Sequence, residues 1–294
     1  MNGRTVMHAP VAGCMRWGKW GAQFSTAQYR QMIDACLEQG ITAFDHADIY
    51  GDYTTEADFG EALKESPALR AQLRLISKCG IRMVAEQRPS HQIKSYDSSA
   101  QHIIQSVEQS LRNFGTDHLD VLLIHRPDPL LHPAEVASAV SHLKQQGKIL
   151  QFGVSNFLPH QVDTLAGHTL IEYNQVEISI IHLSAFANGT LDNCLQHHIT
   201  PMAWAPLGGG IFTDDSHPRF RSIVQTATAL AEKYETGLNE ILLAWLGAHP
   251  AGILPVIGTT KLERLIQAKT ASQLKLERED WFRLLAASTG EDVA

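Results

Sequence analysis

The sequence has little of what marks nucleic-acid-binding, membrane-spanning or disulfide-rich proteins. Its formal net charge is -7 and no block of basic residues interrupts it, which argues against a nucleic-acid partner. No apolar run approaches the roughly 18 residues of a membrane span, and the start, Met1–Val6, lacks the apolar core of a signal peptide. The 4 cysteines are scattered without metal-like spacing, as is typical of a reducing compartment. We therefore expect a soluble, cytoplasmic protein with no membrane partner.

Two further absences concern the fold. No Pro/Gly/Ser-rich linker or low-complexity stretch divides the 294 residues, and no G-x-G-x-x-G motif follows an early strand. Short apolar runs instead alternate with helical periodicity, giving eight strand–helix units. Alternating units predict a parallel sheet, and eight of them over about 250 residues predict a closed barrel. The fold class is therefore α/β, a single (β/α)₈ barrel over residues 1–294 with its active site at the carboxyl ends of the strands.

The predicted elements follow from apolar runs, caps and stop signals. Thr26 is expected to cap the first helix, Ser98 or Ser99 a later one, and Pro133 to open another. A long polar segment is expected from Arg82 to Asp97. The predicted strands lie at 10–16, 41–45, 73–79, 119–125, 151–155, 171–178, 200–205 and 253–257.

Ionisable residues stand where three of these strands end. The second strand ends at Asp45, and Tyr50 follows just before Gly51, where a turn is expected. Lys78 and His125 each stand at the end of another strand. The four side chains can lie close together only if these strands run parallel in one sheet. A free phenol has a pKa of about 10. Lys78 would lower that pKa, with Asp45 holding the ammonium in place.

This combination suits a general acid that protonates an oxygen while another group delivers hydride. In that scheme His125 could steer a carbonyl oxygen or relay the proton. The alternative is a metal-dependent hydrolase using His46, Asp48 and His125. It is less favoured because His46 and Asp48 fall in a loop, and because a strand-end lysine bridges metals only when carbamylated. We therefore expect no metal.

The second half of the chain carries amides rather than charges near its strand ends. Ser155 and Asn156 follow one strand, Gln175 lies in the next, and Trp204 lies in a third. Amides can bind a carboxamide, and an aromatic face can stack on a flat ring, so together they describe a slot for nicotinamide. The stretch 258–261 offers backbone N–H groups and a lysine to a phosphate, or is simply a capped helix start.

These motifs resemble those of the aldo-keto reductase family, and the resemblance runs from Gly13 to beyond Arg264. It rests on seven motifs in the family's order: Phe44–Gly51, Ile76–Lys78, Leu119–Pro127, Gly153–Phe157, Asn174–Glu177, Ala203–Gly208 and Pro255–Thr260. It implies a (β/α)₈ barrel that binds NADPH across its carboxyl-end mouth. It also implies that Tyr50 is the general acid, that Asp45 and Lys78 tune it, and that His125 orients the carbonyl.

The resemblance further implies a set of cofactor-binding residues, with Lys261 and Arg264 near the 2′-phosphate favouring NADPH over NADH. The set is Met15, Arg16, Ser155, Asn156, Gln175, Trp204, Leu207, Gly208, Gly209, Gly210, Gly258, Thr259, Thr260, Lys261 and Arg264.

The chain departs from the family pattern at three places. His46 stands where the family commonly has Thr or Ser, which suggests a second imidazole near the site. Arg126 replaces an aromatic residue, and we hypothesise that it gives the substrate pocket an electropositive wall for polar or acidic carbonyls. Gln267 and Ala268 stand where the family often has Glu and Asn. With Trp17 as a further wall, the expected substrate pocket comprises Trp17, His46 and Arg126.

The leading hypothesis is an NADPH-dependent reductase of small aldehydes and ketones. The rival is a regulatory subunit that keeps the cofactor site but has little turnover, as some relatives that partner ion channels do. The complete set of Asp45, Tyr50, Lys78 and His125 weighs against the rival.

Overall fold

The protein is described by a computed structural model that covers residues 10–64, 66–213 and 218–292. The start of the chain, where a signal peptide was not expected, lies outside the described residues. In the part of the chain that is described, no helix is long and apolar enough to cross a membrane.

Eight parallel strands close into a barrel in the order β1-β8-β7-β6-β5-β4-β3-β2. This confirms the (β/α)₈ barrel, and every predicted strand is present, although most are shorter than expected. The strands are β1 Val11–Gly13, β2 Ala43–Asp45, β3 Arg74–Cys79, β4 Leu119–Ile124, β5 Ile149–Ser155, β6 Tyr173–Glu177, β7 Thr200–Trp204 and β8 Leu254–Ile257.

Helices follow the strands as the alternation predicts. The longer ones are Thr26–Glu38, Thr55–Lys64, Ala100–Phe114, Pro133–Gln145, Pro159–Ala166, Thr190–His197, Pro218–Lys233, Leu238–Gly247, Leu262–Ala271 and Arg278–Thr289. Shorter helical turns were not predicted: Tyr50–Tyr53, Pro67–Gln72, Ser184–Ala187 and Gly208–Thr213. At the two ends of the polar segment 82–97 the structure adds an antiparallel pairing of Ile81–Arg82 with Ser95–Tyr96.

The helix starts show which cap predictions hold. Ser99 caps its helix and Pro133 is the first residue of another, both as expected. The prediction of Thr26 as a cap is wrong, because Ser25 caps that helix in a capping box with Gln28. The Ser25 N–H donates to Gln28 Oε1 at 2.9 Å, while the Gln28 N–H donates to Ser25 Oγ at 3.4 Å.

The chain groups into two compact units, of which the first comprises residues 11–175 and 258–262. Its core holds an aromatic cluster in which the rings of Trp17 and Phe59 stack at 26°, and Phe44 packs against both. The clustered side chains are buried, so their apolar area contributes directly to the stability of this unit. All of the ionisable residues predicted to carry the chemistry belong to it.

The second unit comprises the described residues of 176–257 and 263–292, with Pro10. Trp245 and Trp281 stack with ring centroids 5.0 Å apart, and each indole N–H donates to the other residue's carbonyl. Lys233 pairs with the buried carboxylate of Asp280 at 2.7 Å. The expectation that residues 1–294 form one domain stays a prediction.

Candidate active site

Lys78 lies at the centre of a buried hydrogen-bonded chain. Its ammonium Nζ donates to Asp45 Oδ2 at 2.7 Å, to the phenol oxygen of Tyr50 at 3.1 Å and to the carbonyl oxygen of His46 at 2.7 Å. Asp45 is 3% exposed and Lys78 is 1% exposed, so water does not screen these contacts. The structure thus brings Asp45, Tyr50 and Lys78 together, as the strand ends predicted.

The backbone between β2 and the next helix positions Tyr50. Gly51, Asp52 and Tyr53 all have positive φ, with Gly51 at 60°, so the chain turns sharply directly after Tyr50. A Cβ on Gly51 would lie 2.5 Å from Thr55 Oγ1, which explains why glycine occupies the turn. Trp20 donates its indole N–H to Asp52 Oδ1 at 3.0 Å and packs against the Tyr50 ring.

The pKa of Tyr50 differs from the sequence-based expectation. Burial raises the pKa of this phenol, and although Lys78 acts to lower it as predicted, the pKa remains above its usual value. Burial also disfavours the Lys78 ammonium, but Asp45 and Tyr50 outweigh it and raise the pKa of Lys78. Tyr50 is therefore a neutral phenol beside a charged ammonium, an arrangement that can release a proton and stabilise the phenolate left behind.

His125 faces this chain from the end of β4. Its ring meets the Tyr50 ring edge-on, with centroids 5.9 Å apart. Burial, followed by the charges of Lys78, Arg126 and Lys94, holds the pKa of His125 well below its usual value. Its buried Nδ1 has no hydrogen-bond partner among the described residues. A neutral imidazole can donate one N–H to a carbonyl oxygen without competing for the proton.

A second row of hydrogen bonds, next to the chain around Lys78, joins Gln175, Ser155 and Asn156. The Gln175 side chain donates from Nε2 to Asp45 Oδ1 at 2.8 Å. Ser155 Oγ donates to the Gln175 carbonyl at 2.8 Å, and Asn156 Nδ2 donates to Ser155 Oγ at 2.8 Å. Asn156 has a φ of 63°, a left-handed backbone that directs its side chain back toward β5 and β4. The amide row lies where the sequence predicted it, but its link to Asp45 was not foreseen.

The stretch 258–261 follows β8, and its residues belong to the first unit. Thr259 is buried and its carbonyl accepts the indole N–H of Trp17 at 2.8 Å. Gly258 and Lys261 are exposed, Thr260 is half-buried, and the Lys261 N–H donates to Thr259 Oγ1 at 3.2 Å. Met15 and Arg16 after β1 are also exposed. A lysine at a helix start is therefore available to an anion.

The remaining expected cofactor residues belong to the second unit. Trp204 ends β7 half-buried, and Leu207 packs against the core of its unit. Gly209 and Gly210 have φ of 70° and 89°, and a Cβ on either would meet nothing within 4 Å. Gly208 precedes them, and Arg264 is exposed on the helix Leu262–Ala271.

Two residues expected to line the substrate pocket lie elsewhere. Trp17 is fully buried in the aromatic cluster, because its indole N–H bonds Thr259 and its ring packs on Phe59. His46 is also fully buried, with its ring edge-on to Phe59 at 4.6 Å and to Phe114 at 5.0 Å. Both side chains are therefore core residues. Arg126, in contrast, is exposed beside His125, and its place in the wall of a substrate pocket stays a prediction.

The structure adds residues that the sequence did not single out. Lys94 adds positive charge near His125, and Trp20 supports the turn after Tyr50. Lys94 lies in the predicted polar segment, whose position relative to the barrel no local pattern gives. Among the described residues, no group of three His, Cys, Asp or Glu side chains could hold a metal ion.

Comparison with known proteins agrees with the fold and the motifs. Residues 11–288 match the aldo/keto reductase family. Oxidoreductase YdhF of Escherichia coli is 45% identical over 96% of this chain and 94% of its own length. A 6-dehydroglucose reductase of Agrobacterium fabrum is 40% identical over 95% of each chain. The crystal structure of an aldo/keto reductase from Klebsiella pneumoniae with NADP and acetate is 25% identical over 93% of this chain and 89% of that one, with a TM-score of 0.75.

The barrel and the extent of these matches define an oxidoreductase that uses a nicotinamide cofactor. The chain belongs to the aldo/keto reductase family.

Proposed function

We propose that the protein reduces aldehydes or ketones to alcohols with NADPH, and that Tyr50 is the general acid. The observation that carries this proposal is the buried chain in which Lys78 bonds both Asp45 and Tyr50. Such a chain holds a neutral phenol next to a fixed positive charge. That arrangement suits the transfer of one proton to an oxygen atom.

In the proposed reaction each residue has one task. When bound, the nicotinamide supplies a hydride to the carbonyl carbon. Tyr50 gives its phenolic proton to the carbonyl oxygen, so that the C=O bond becomes a CH–OH group. Lys78 stabilises the resulting phenolate by charge, and Asp45 keeps the ammonium within reach. Neutral His125 donates a hydrogen bond that orients the carbonyl oxygen.

The side chains near the end of β5 and within β6 fit a nicotinamide carboxamide. Ser155, Asn156 and Gln175 offer a hydroxyl and two amides, which complement the donor and acceptor of a carboxamide group. The hydrogen bonds among them hold these groups in fixed positions. Lys261 and Arg264, both exposed at a helix start, support a preference for the 2′-phosphate of NADPH over NADH.

For the substrate, we propose a polar carbonyl compound. Arg126 and Lys94 place positive charge next to His125, which favours a substrate carrying oxygen-rich or acidic groups. Two relatives of 40% and 35% identity are 6-dehydroglucose reductases. A sugar carbonyl of that kind is therefore the first substrate to assay, followed by carboxylated and neutral aldehydes.

The test is a titration of the purified protein with NADPH and NADH, followed by intrinsic fluorescence of its 5 tryptophans. NADPH oxidation is then measured with the carbonyl panel. We expect tight NADPH binding, weaker NADH binding and oxidation with at least one polar carbonyl. Binding of neither cofactor would overturn the proposal. Binding without turnover on any carbonyl would instead favour a regulatory subunit.

A further inference from the structure

Both oxygens of the Asp45 carboxylate are held by other side chains. Oδ2 accepts from Lys78 at 2.7 Å and Oδ1 accepts from Gln175 Nε2 at 2.8 Å. Asp45 and Gln175 are each 3% exposed, so water does not compete for either oxygen. A buried carboxylate oxygen without a hydrogen-bond donor destabilises the folded protein. The hydrogen bond from the Gln175 amide removes that destabilisation.

The Gln175 contact crosses the interior of the barrel. Asp45 ends β2 and Gln175 lies in β6, and strands β3, β4 and β5 stand between them in the barrel order. The base of the Gln175 side chain is fixed as well, because its carbonyl accepts both Ser155 Oγ and the Asn156 N–H at 2.8 Å. The amide is therefore a rigid support for Asp45 rather than a mobile surface group.

The chemistry of the pair also sets the orientation of the amide. A carboxylate only accepts hydrogen bonds, so the Gln175 –NH₂ must face Asp45 and Oε1 must point away. Hydrogen bonds therefore join four buried side chains in one series, which runs from Gln175 to Asp45, Lys78 and Tyr50.

We propose that Gln175 is a positioning residue of the proton-transfer chain, whose amide holds Asp45 in the orientation that pairs it with Lys78. This inference rests on the proposed function and goes beyond the cofactor-binding role that the family resemblance implies for Gln175. Without the amide, Asp45 Oδ1 has no donor and the carboxylate can turn away from Lys78, so the ammonium is no longer held against the Tyr50 oxygen. Lys78 then stabilises the Tyr50 phenolate less.

The pH dependence of alcohol oxidation with NADP⁺ tests the proposal, because that direction needs the phenolate as a base. We expect Gln175→Met to move the rising limb of the kcat profile to higher pH by about half to one unit. The measurement is made at saturating cofactor and substrate, so that weaker binding does not enter. The matched control is Ser155→Ala, which removes another expected carboxamide contact while the Asn156 N–H still holds Gln175.

A Gln175→Met profile that coincides with wild type, with only NADP⁺ affinity reduced as in Ser155→Ala, would overturn the proposal. A double-mutant cycle of Gln175→Met and Asp45→Asn in denaturant unfolding tests the same contact without turnover. It should show at least a tenfold coupling in the unfolding equilibrium constant, and additive effects would contradict it. If the wild type lacks reductase activity, the proposed function fails, and the cycle still decides whether Gln175 supports Asp45.

Discussion

Replacement of His46 by phenylalanine should make the protein more resistant to acid. His46 is fully buried, and burial followed by the charge of Lys78 lowers its pKa from 6.5 to about 3. Neither ring nitrogen has a hydrogen-bond partner among the described residues. The ring lies edge-on to Phe59 and Phe114, a geometry that a phenyl ring can reproduce.

The magnitude follows from linkage between protonation and folding. Because the folded-state pKa of His46 is depressed, the unfolded chain takes up this proton first as the pH falls below 6.5. Each pKa unit corresponds to about 1.36 kcal/mol. His46 therefore destabilises the wild type by about 2 kcal/mol at pH 5 and by about 4 kcal/mol at pH 3, relative to pH 7.

The assay is denaturant unfolding of wild type and His46→Phe at pH 7 and pH 5. Any change in packing contributes equally at both pH values, so the difference between the two measurements isolates the titration of His46. We expect the variant to gain about 2 kcal/mol on the wild type between pH 7 and pH 5. His160→Gln, at an exposed histidine, is the matched control. An equal difference at both pH values would refute the buried neutral state of His46.

Three further substitutions test other parts of the account. Arg126→Ala should reduce kcat/KM about tenfold for a carboxylated aldehyde and much less for a neutral one. Equal losses for the two aldehydes would contradict the hypothesis that Arg126 forms an electropositive wall. Lys261→Ala should raise the Kd for NADPH about tenfold and leave that for NADH nearly unchanged, and parallel changes would refute a contact with the 2′-phosphate. Gly51→Ala should lower the free energy of unfolding by about 1–2 kcal/mol, because alanine is strained at positive φ, and should slow reduction by displacing Tyr50; wild-type stability and rate would contradict this role of the turn.

The fold was predictable because its signals are local. Each strand shows as a short apolar run and each helix as a periodic stripe with caps, and eight alternating units leave few other architectures. The strand ends also placed Asp45, Lys78 and His125 at one end of a parallel barrel, as the structure has them. The sequence did not distinguish Ser25 from Thr26 as the cap of the first helix, since the two are adjacent and both can accept from the first helical N–H groups.

The features that could not be predicted depend on three-dimensional surroundings. The net effect on the pKa of Tyr50 depends on how far burial outweighs Lys78, which no spacing reveals. His46 is in the loop after β2, and only the packing of Phe59 and Phe114 shows that its ring enters the core. Trp17 is buried for a similar reason, through its bond to Thr259 far along the chain. The Gln175–Asp45 contact joins residues 130 positions apart, so local patterns cannot give it.

In the proposed mechanism Tyr50 donates the proton, and single-turnover reduction by Tyr50→Phe is the sharpest test of that role. The variant is loaded with NADPH, mixed with a carbonyl that the wild type reduces, and followed by loss of NADPH absorbance. Because only the hydroxyl is removed, we expect unchanged NADPH affinity and a rate at least about a hundredfold lower, the usual range for a lost general acid. A variant that binds NADPH and still reduces the carbonyl at the wild-type rate would contradict the account.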